Sequence, residues 1–200
     1  MIAKVIVHAP TRREAASRLA RVLETTEIQG LKTNRDFLVT TLRTPEYLAG
    51  DTTTDFIERV KPALTREVSR QELVEAAIAT TIEGQARRRA AAKVLRTMSS
   101  GWRNSTMPME RISYKFGKKE VVEVAYKRQR NGQFRVQVDE QTMQITCYAS
   151  GQGNVDLDMD GRRLHFSVSP HGDDWLIHSS HGDLRLTELP RYPSTGADES

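Results

Sequence analysis

SRQELVEAAIATTIEGQARRRAAAKVLRTM, Ser69 to Met98, reads as one long helix. Ser69 is placed to cap the free backbone N–H groups, and Glu72, three residues on, completes a capping box. Apolar side chains recur at every fourth position, Val74, Ile78, Ile82, Ala86, Ala90, Val94 and Met98, and Leu73, Ala77, Ala91 and Leu95 widen the stripe. That pattern predicts one buried face. Alanine favours helix on propensity alone, and Gly84 is the weak point, at a cost of about 1 kcal/mol against alanine. Ser99-Ser100-Gly101 supplies the stop, with Gly101 suited to a left-handed cap. At roughly 1.5 Å per residue, such a helix is about as long as a small domain is wide.

The sequence after it supplies a domain for it to lie in. Strand-like runs follow one another: Arg111–Phe116, Val121–Arg128, Gln133–Val138, Thr142–Tyr148, Asn154–Met159, Arg163–Val168, Trp175–His178 and Leu184–Leu186. Turn signals separate them, among them Asn131-Gly132, Asp139-Glu140, Gly151-Gln152-Gly153, Asp160-Gly161 and His181-Gly182. About eight short antiparallel strands of this kind make an up-and-down barrel, whose inward face could wrap the Ser69 helix. From Pro190 onward the chain is polar.

Before the helix, Ile2 to Val7 reads as a strand. Thr11 with Glu14 caps a helix carrying Ala15, Ala16, Leu19, Ala20, Val22 and Leu23 inward. Ile28-Gln29-Gly30-Leu31 is a short apolar piece, Thr33 with Asp36 starts a further helix, and Thr54 or Asp55 starts one more turn. Strand, helix, strand, helix, helix is part of an α/β layer, too small to be comfortable alone. The fold class expected is therefore α+β: a partial α/β layer, then a long helix wrapped by an antiparallel β-barrel of about eight strands.

Hydrophobic residues make up 38% of the 200 and charged residues 28%, without a long apolar run, which argues against a membrane span. Cys147 is the one cysteine and cannot form an internal disulfide, which points to a reducing cytoplasm. The net charge of +4 permits an acidic partner, but acidic residues nearly balance basic ones.

With that order laid out, particular residues carry a resemblance. Met1-Ile2-Ala3-Lys4-Val5-Ile6, Ile28-Gln29-Gly30, Thr33-Asn34-Arg35-Asp36 and Gly50-Asp51-Thr52-Thr53-Thr54 resemble the C-terminal end of a biotin carboxylase domain. The long helix, then Ser100-Gly101-Trp102-Arg103-Asn104, then strands, resembles the linking domain of biotin-dependent acyl-CoA carboxylase α subunits of the acetyl, propionyl or methylcrotonyl type. The resemblance implies a middle piece of such a subunit. Residues 1–62 would be the end of the biotin carboxylase domain. Residues 63–190 would be the linking domain, with helix 69–98, loop 99–108 and barrel 110–189, and residues 191–200 a flexible linker toward a biotin-carrier domain. ATP, magnesium and biotin would be handled by other parts of the intact subunit, so no catalytic, cofactor-binding or metal residue is expected in this chain. The implied partner is the carboxyltransferase β subunit, met through the loop after the helix.

Trp102, Arg103 and Asn104 in that loop, with Arg87 on the helix, are the candidate partner-binding residues, because an aromatic beside an arginine is interface chemistry. Trp102 would equally suit closing one end of the barrel core, and Arg87-Arg88-Arg89 could be a solvated face. His165, His171, His178 and His181 lack metal-ligand spacing and read as surface or turn residues. Asp156, Asp158 and Asp160 lack the glycine and terminal glutamate of an EF-hand loop and read as an outward polar face. Cys147 has no base placed beside it, and Lys4 carries a structural role. Two other functions are open: a nucleic-acid-binding barrel using the arginines, and a small-ligand barrel, which a helix filling the lumen would exclude.

Overall fold

The structure, a computed structural model, describes residues 2–94 and 108–191. These form two compact units, one drawn from Met1–Val68 and Ser180–Gly182, the other from Ser69–Ser179 and Asp183–Ser200.

The first unit is helical. Thr11 accepts a hydrogen bond from the Glu14 N–H and opens α1 (Arg12–Thr25). Next come α2 (Arg35–Arg43), α3 (Pro45–Ala49), which Thr44 caps and Gly50 ends at φ 88°, and α4 (Phe56–Val60). Ala16, Ala20 and Leu42 form a small buried cluster, flanked by Leu19, Leu23, Val39, Tyr47 and Leu48. The expected strands at Ile2–Val7 and residues 28–31 do not form: a strand needs a ladder, and no described residue pairs with either run. Ile2 and Ile6 stay 72% and 78% exposed. Asn34 occupies the cap position of α2, with no side-chain hydrogen bond, and Thr33, one residue earlier, accepts from the Arg35 N–H at 3.4 Å.

In the second unit Ser69 accepts from the Glu72 N–H and starts α5 (Arg70–Ala91). Eight strands follow: β1 (Glu110–Phe116), β2 (Glu120–Arg128), β3 (Phe134–Val138), β4 (Gln141–Ala149), β5 (Asn154–Met159), β6 (Arg162–His171), β7 (Asp174–Ser179) and β8 (Gly182–Glu188). They close in sequential order into one barrel, β8 returning to β1 through Tyr114 opposite Glu188 and Lys115 opposite Thr187. The α+β class and the wrapped helix are as the sequence pattern predicts. At the Asp160-Gly161 turn both residues have positive φ, 52° and 76°, matching the right-handed twist of the flanking strands.

Alternation sends Tyr114, Val122, Val124, Val136, Ile145, Leu157, Val168, Ile177 and Leu186 into the lumen, where α5 fills the space. The helix is buried all round from Leu73 to Gln85, apart from the half-buried Val74, instead of along one face. Slim residues make this possible: Ala76, Ala77, Ala79, Thr80, Thr81 and Gly84 keep its diameter small. A Cβ on Gly84 would lie 3.5 Å from the Trp175 ring, so at the glycine the helix backbone passes close to the barrel wall. The helix stops at Ala91, short of the expected Met98, and Ala92 takes an extended conformation. Past Gln85 the barrel no longer covers it, and Val94 is 73% exposed, so no packing supports further turns.

Candidate docking site

Polar groups on α5 are buried with the helix and are met one by one. The Thr80 and Thr81 hydroxyls donate to the carbonyls of Ala76 and Ala77, each at 2.8 Å, and Thr81 lies 3.2 Å from the Tyr114 hydroxyl. Glu75, 6% exposed, accepts from Gln71 and from the Arg162 guanidinium. At one barrel mouth a cavity of about 640 Å³ opens beside this pair, with Val74, Ile78, Met143 and Met159 on its walls.

The other mouth, where α5 emerges, is the more elaborate. Glu83 has no exposed surface, and its carboxylate accepts from the Gly151 and Gly153 N–H groups and, at 2.7 Å, from Arg87. Gly151 and Gly153 hold φ of 97° and 90°, which lets the β4–β5 turn fold its amides over the helix. A Cβ on Gly151 would stand 3.3 Å from that of Ala86, closer than packed side chains normally come. A buried carboxylate is tolerable only with this many donors. Arg88 reaches the Tyr126 hydroxyl at 3.3 Å, and that hydroxyl donates to Glu110 at 2.7 Å. Burial and the Glu110 carboxylate push Tyr126 up to about 12. Burial likewise raises Tyr114. Trp175 Nε1 donates to Glu188 at 2.9 Å and fixes the indole that faces Gly84.

Of the sequence-derived candidates, Trp102, Arg103 and Asn104 lie outside the described residues. Arg87 is half-buried and braced by Glu83, part of the mouth's own architecture. His178 faces Asp183 at 2.5 Å and His165 lies 3.5 Å from Asp156, which also takes two bonds from Arg163. Among the described residues no group of three His, Cys, Asp or Glu side chains could hold a metal ion, and no helix is long and apolar enough to cross a membrane. The described residues do not fit a magnesium site. Glu83, Gln85 and Tyr148 were not singled out by the sequence. The available signal was a Glu-Gly-Gln interruption of an alanine-rich run together with the Gly151-Gln152-Gly153 turn.

Residues 69–191, the helix and barrel, match the family described as methylcrotonyl-CoA carboxylase, alpha-subunit, BT domain. The chain belongs to that family. Residues 1–59 match the biotin carboxylase C-terminal domain. Over 156 residues, 72% of this chain and 21% of the relative, it is 28% identical to the mitochondrial methylcrotonoyl-CoA carboxylase subunit alpha of Mus musculus. It is 47% identical over 57 residues to a biotin carboxylase of Halalkalibacterium halodurans, covering 28% of this chain and 13% of that protein. A pyruvate carboxylase of Staphylococcus aureus is 30% identical over 80 residues, 37% of this chain and 7% of that protein. The chain thus spans at most about a fifth of the curated relatives it matches.

Proposed function

We propose that this chain is the assembly segment of the α subunit of a biotin-dependent acyl-CoA carboxylase. Residues 1–62 complete its biotin carboxylase domain, residues 63–190 form the linking domain that docks the carboxyltransferase β subunit, and residues 191–200 lead toward a biotin carrier. The observation that carries this reading is a helix sealed inside a closed barrel: the lumen holds α5 in place of a ligand, so the module offers its rims and loops. ATP, magnesium and biotin act elsewhere in the intact cytoplasmic subunit, which carboxylates biotin with bicarbonate, and this chain alone does not. ATP-dependent carboxylation by the isolated chain would overturn that statement.

Docking runs through the loop 99–108, with Trp102, Arg103, Asn104 and, on the helix, Arg87 as the partner-binding residues. The nucleic-acid alternative loses its main support in the engagement of Arg87 with Glu83 and of Arg88 with Tyr126. Co-elution with a carboxyltransferase β subunit tests the docking. A complex that Trp102→Ala with Arg103→Ala weakens is the expected result; a folded chain that forms no complex refutes it.

A further inference from the structure

We infer that the barrel mouth around Gln85 is a receptor for a carboxylate-bearing segment of the docked partner. This rests on the docking reading above and names the chemistry of one part of the contact.

The mouth holds a cavity of about 360 Å³ between the last turns of α5 and the ends of β2, β3 and β4. That is the small end of ligand pockets, suited to a side chain or two and not to a nucleotide. Its form follows from a bulge. On β4, Cys147 pairs with Leu157 and Ala149 with Asp156, leaving Tyr148 as the extra, unpaired residue. Tyr148 is turned out to 57% exposure, with the Arg163 guanidinium 4.7 Å from its ring centroid. An exposed aromatic flanked by arginine is the composition of an interface anchor.

The walls are donor-rich. Arg89 and Arg128 both line the cavity, the Arg128 guanidinium resting 5.9 Å from the centroid of the Phe134 ring. No Asp or Glu is among the described lining residues. Gln85, only 7% exposed, lines the same cavity, and its amide nitrogen is buried without a hydrogen-bond partner. An orphan of that kind costs about 1–3 kcal/mol and is retained where something else meets it. The Gln85 amide and the exposed Arg128 guanidinium together call for an acceptor carrying negative charge, and a carboxylate is the group that peptides supply.

The single thiol makes the test direct, because Cys147 lines this cavity. Iodoacetamide alkylation of Cys147 in the full chain is timed with acetyl-Leu-Glu-Leu-amide or its neutral counterpart acetyl-Leu-Gln-Leu-amide. The acidic peptide is expected to slow alkylation saturably and the neutral one to leave it unchanged. In Gln85→Leu with Arg128→Ser, the concentration needed for protection should rise about tenfold or more. Gln85→Leu alone should be at least as stable in urea as the parent chain, since it removes an unsatisfied group; lost stability would assign Gln85 a structural role and overturn the inference. Equal protection by both peptides, or by neither, would also overturn it. The double variant is then co-eluted with the β subunit. Undiminished binding sinks the receptor and leaves the docking reading standing, whereas no binding by the unaltered chain sinks both.

Discussion

Glu83 is the residue on which the α5 exit depends. It has no exposed surface and answers three donors, two of them backbone amides of the β4–β5 turn. In Glu83→Gln the amide end turns an N–H toward another N–H, and the charge that balanced Arg87 is gone. A loss of about 2–3 kcal/mol in urea unfolding is expected. The next residue tests a balance of magnitudes. Gly84→Ala gains about 1 kcal/mol of helix propensity, and its Cβ meets Trp175 at an ordinary 3.5 Å and the flexible end of Arg88 at 3.2 Å. It should therefore be neutral or slightly stabilising, whereas Gly84→Leu drives into the indole and should cost about 1–3 kcal/mol. Thermal melts of the two variants check this. Neither role is legible from sequence: a glutamate in a helix interior looks solvated until the barrel closes around it, and the glycine looks like a weak point until Trp175 is seen against it.

At the scale of the element, the strands were legible because alternation of Val155, Leu157 and Met159, or of Leu164, Phe166 and Val168, reports a half-buried sheet locally. All eight runs became strands, with ends displaced by a few residues. The helix was legible in existence and start, not in extent or environment, since both depend on where the barrel wall ends. Ile2–Val7 failed for a related reason: propensity suggests a strand, and only a partner makes one. The tyrosines that pack against α5 give the barrel a pH signature. Folding raises Tyr126 from 10.0 to about 12 and raises Tyr114 as well, so the protonated hydroxyls favour the fold. Their contribution is whole below pH 10 and is lost as pH climbs from 10 through about 12. Urea unfolding at pH 8 and pH 11.5 should show that fall, and Tyr114→Phe with Tyr126→Phe should flatten it. At neutral pH the double variant should lose roughly 1 kcal/mol per hydroxyl.

On the scale of the whole molecule the two units are unequal in what they bury. The second seals a 22-residue helix within a closed barrel. Among the described residues of the first, Leu42 and Phe56 are the large apolar side chains that are buried, while Ile2, Val5, Ile6, Val22, Leu31, Leu38, Ile57 and Leu64 are exposed. Burial at about 25 cal/mol per Å² drives folding, so this helical unit holds little of its own stability. Hydrogen exchange followed through a urea series should show α1 to α4 losing protection well before α5 and the strands. Within the barrel, the seam between β1 and β8, with two paired positions against six between β5 and β6, should open first. Chymotrypsin should then cut after Leu64, 77% exposed, and leave the helix and barrel intact. A single transition with uniform protection would instead mean that the small helical cluster draws its stability from the barrel, and the fragment beginning after Leu64 would then unfold as readily as the whole chain.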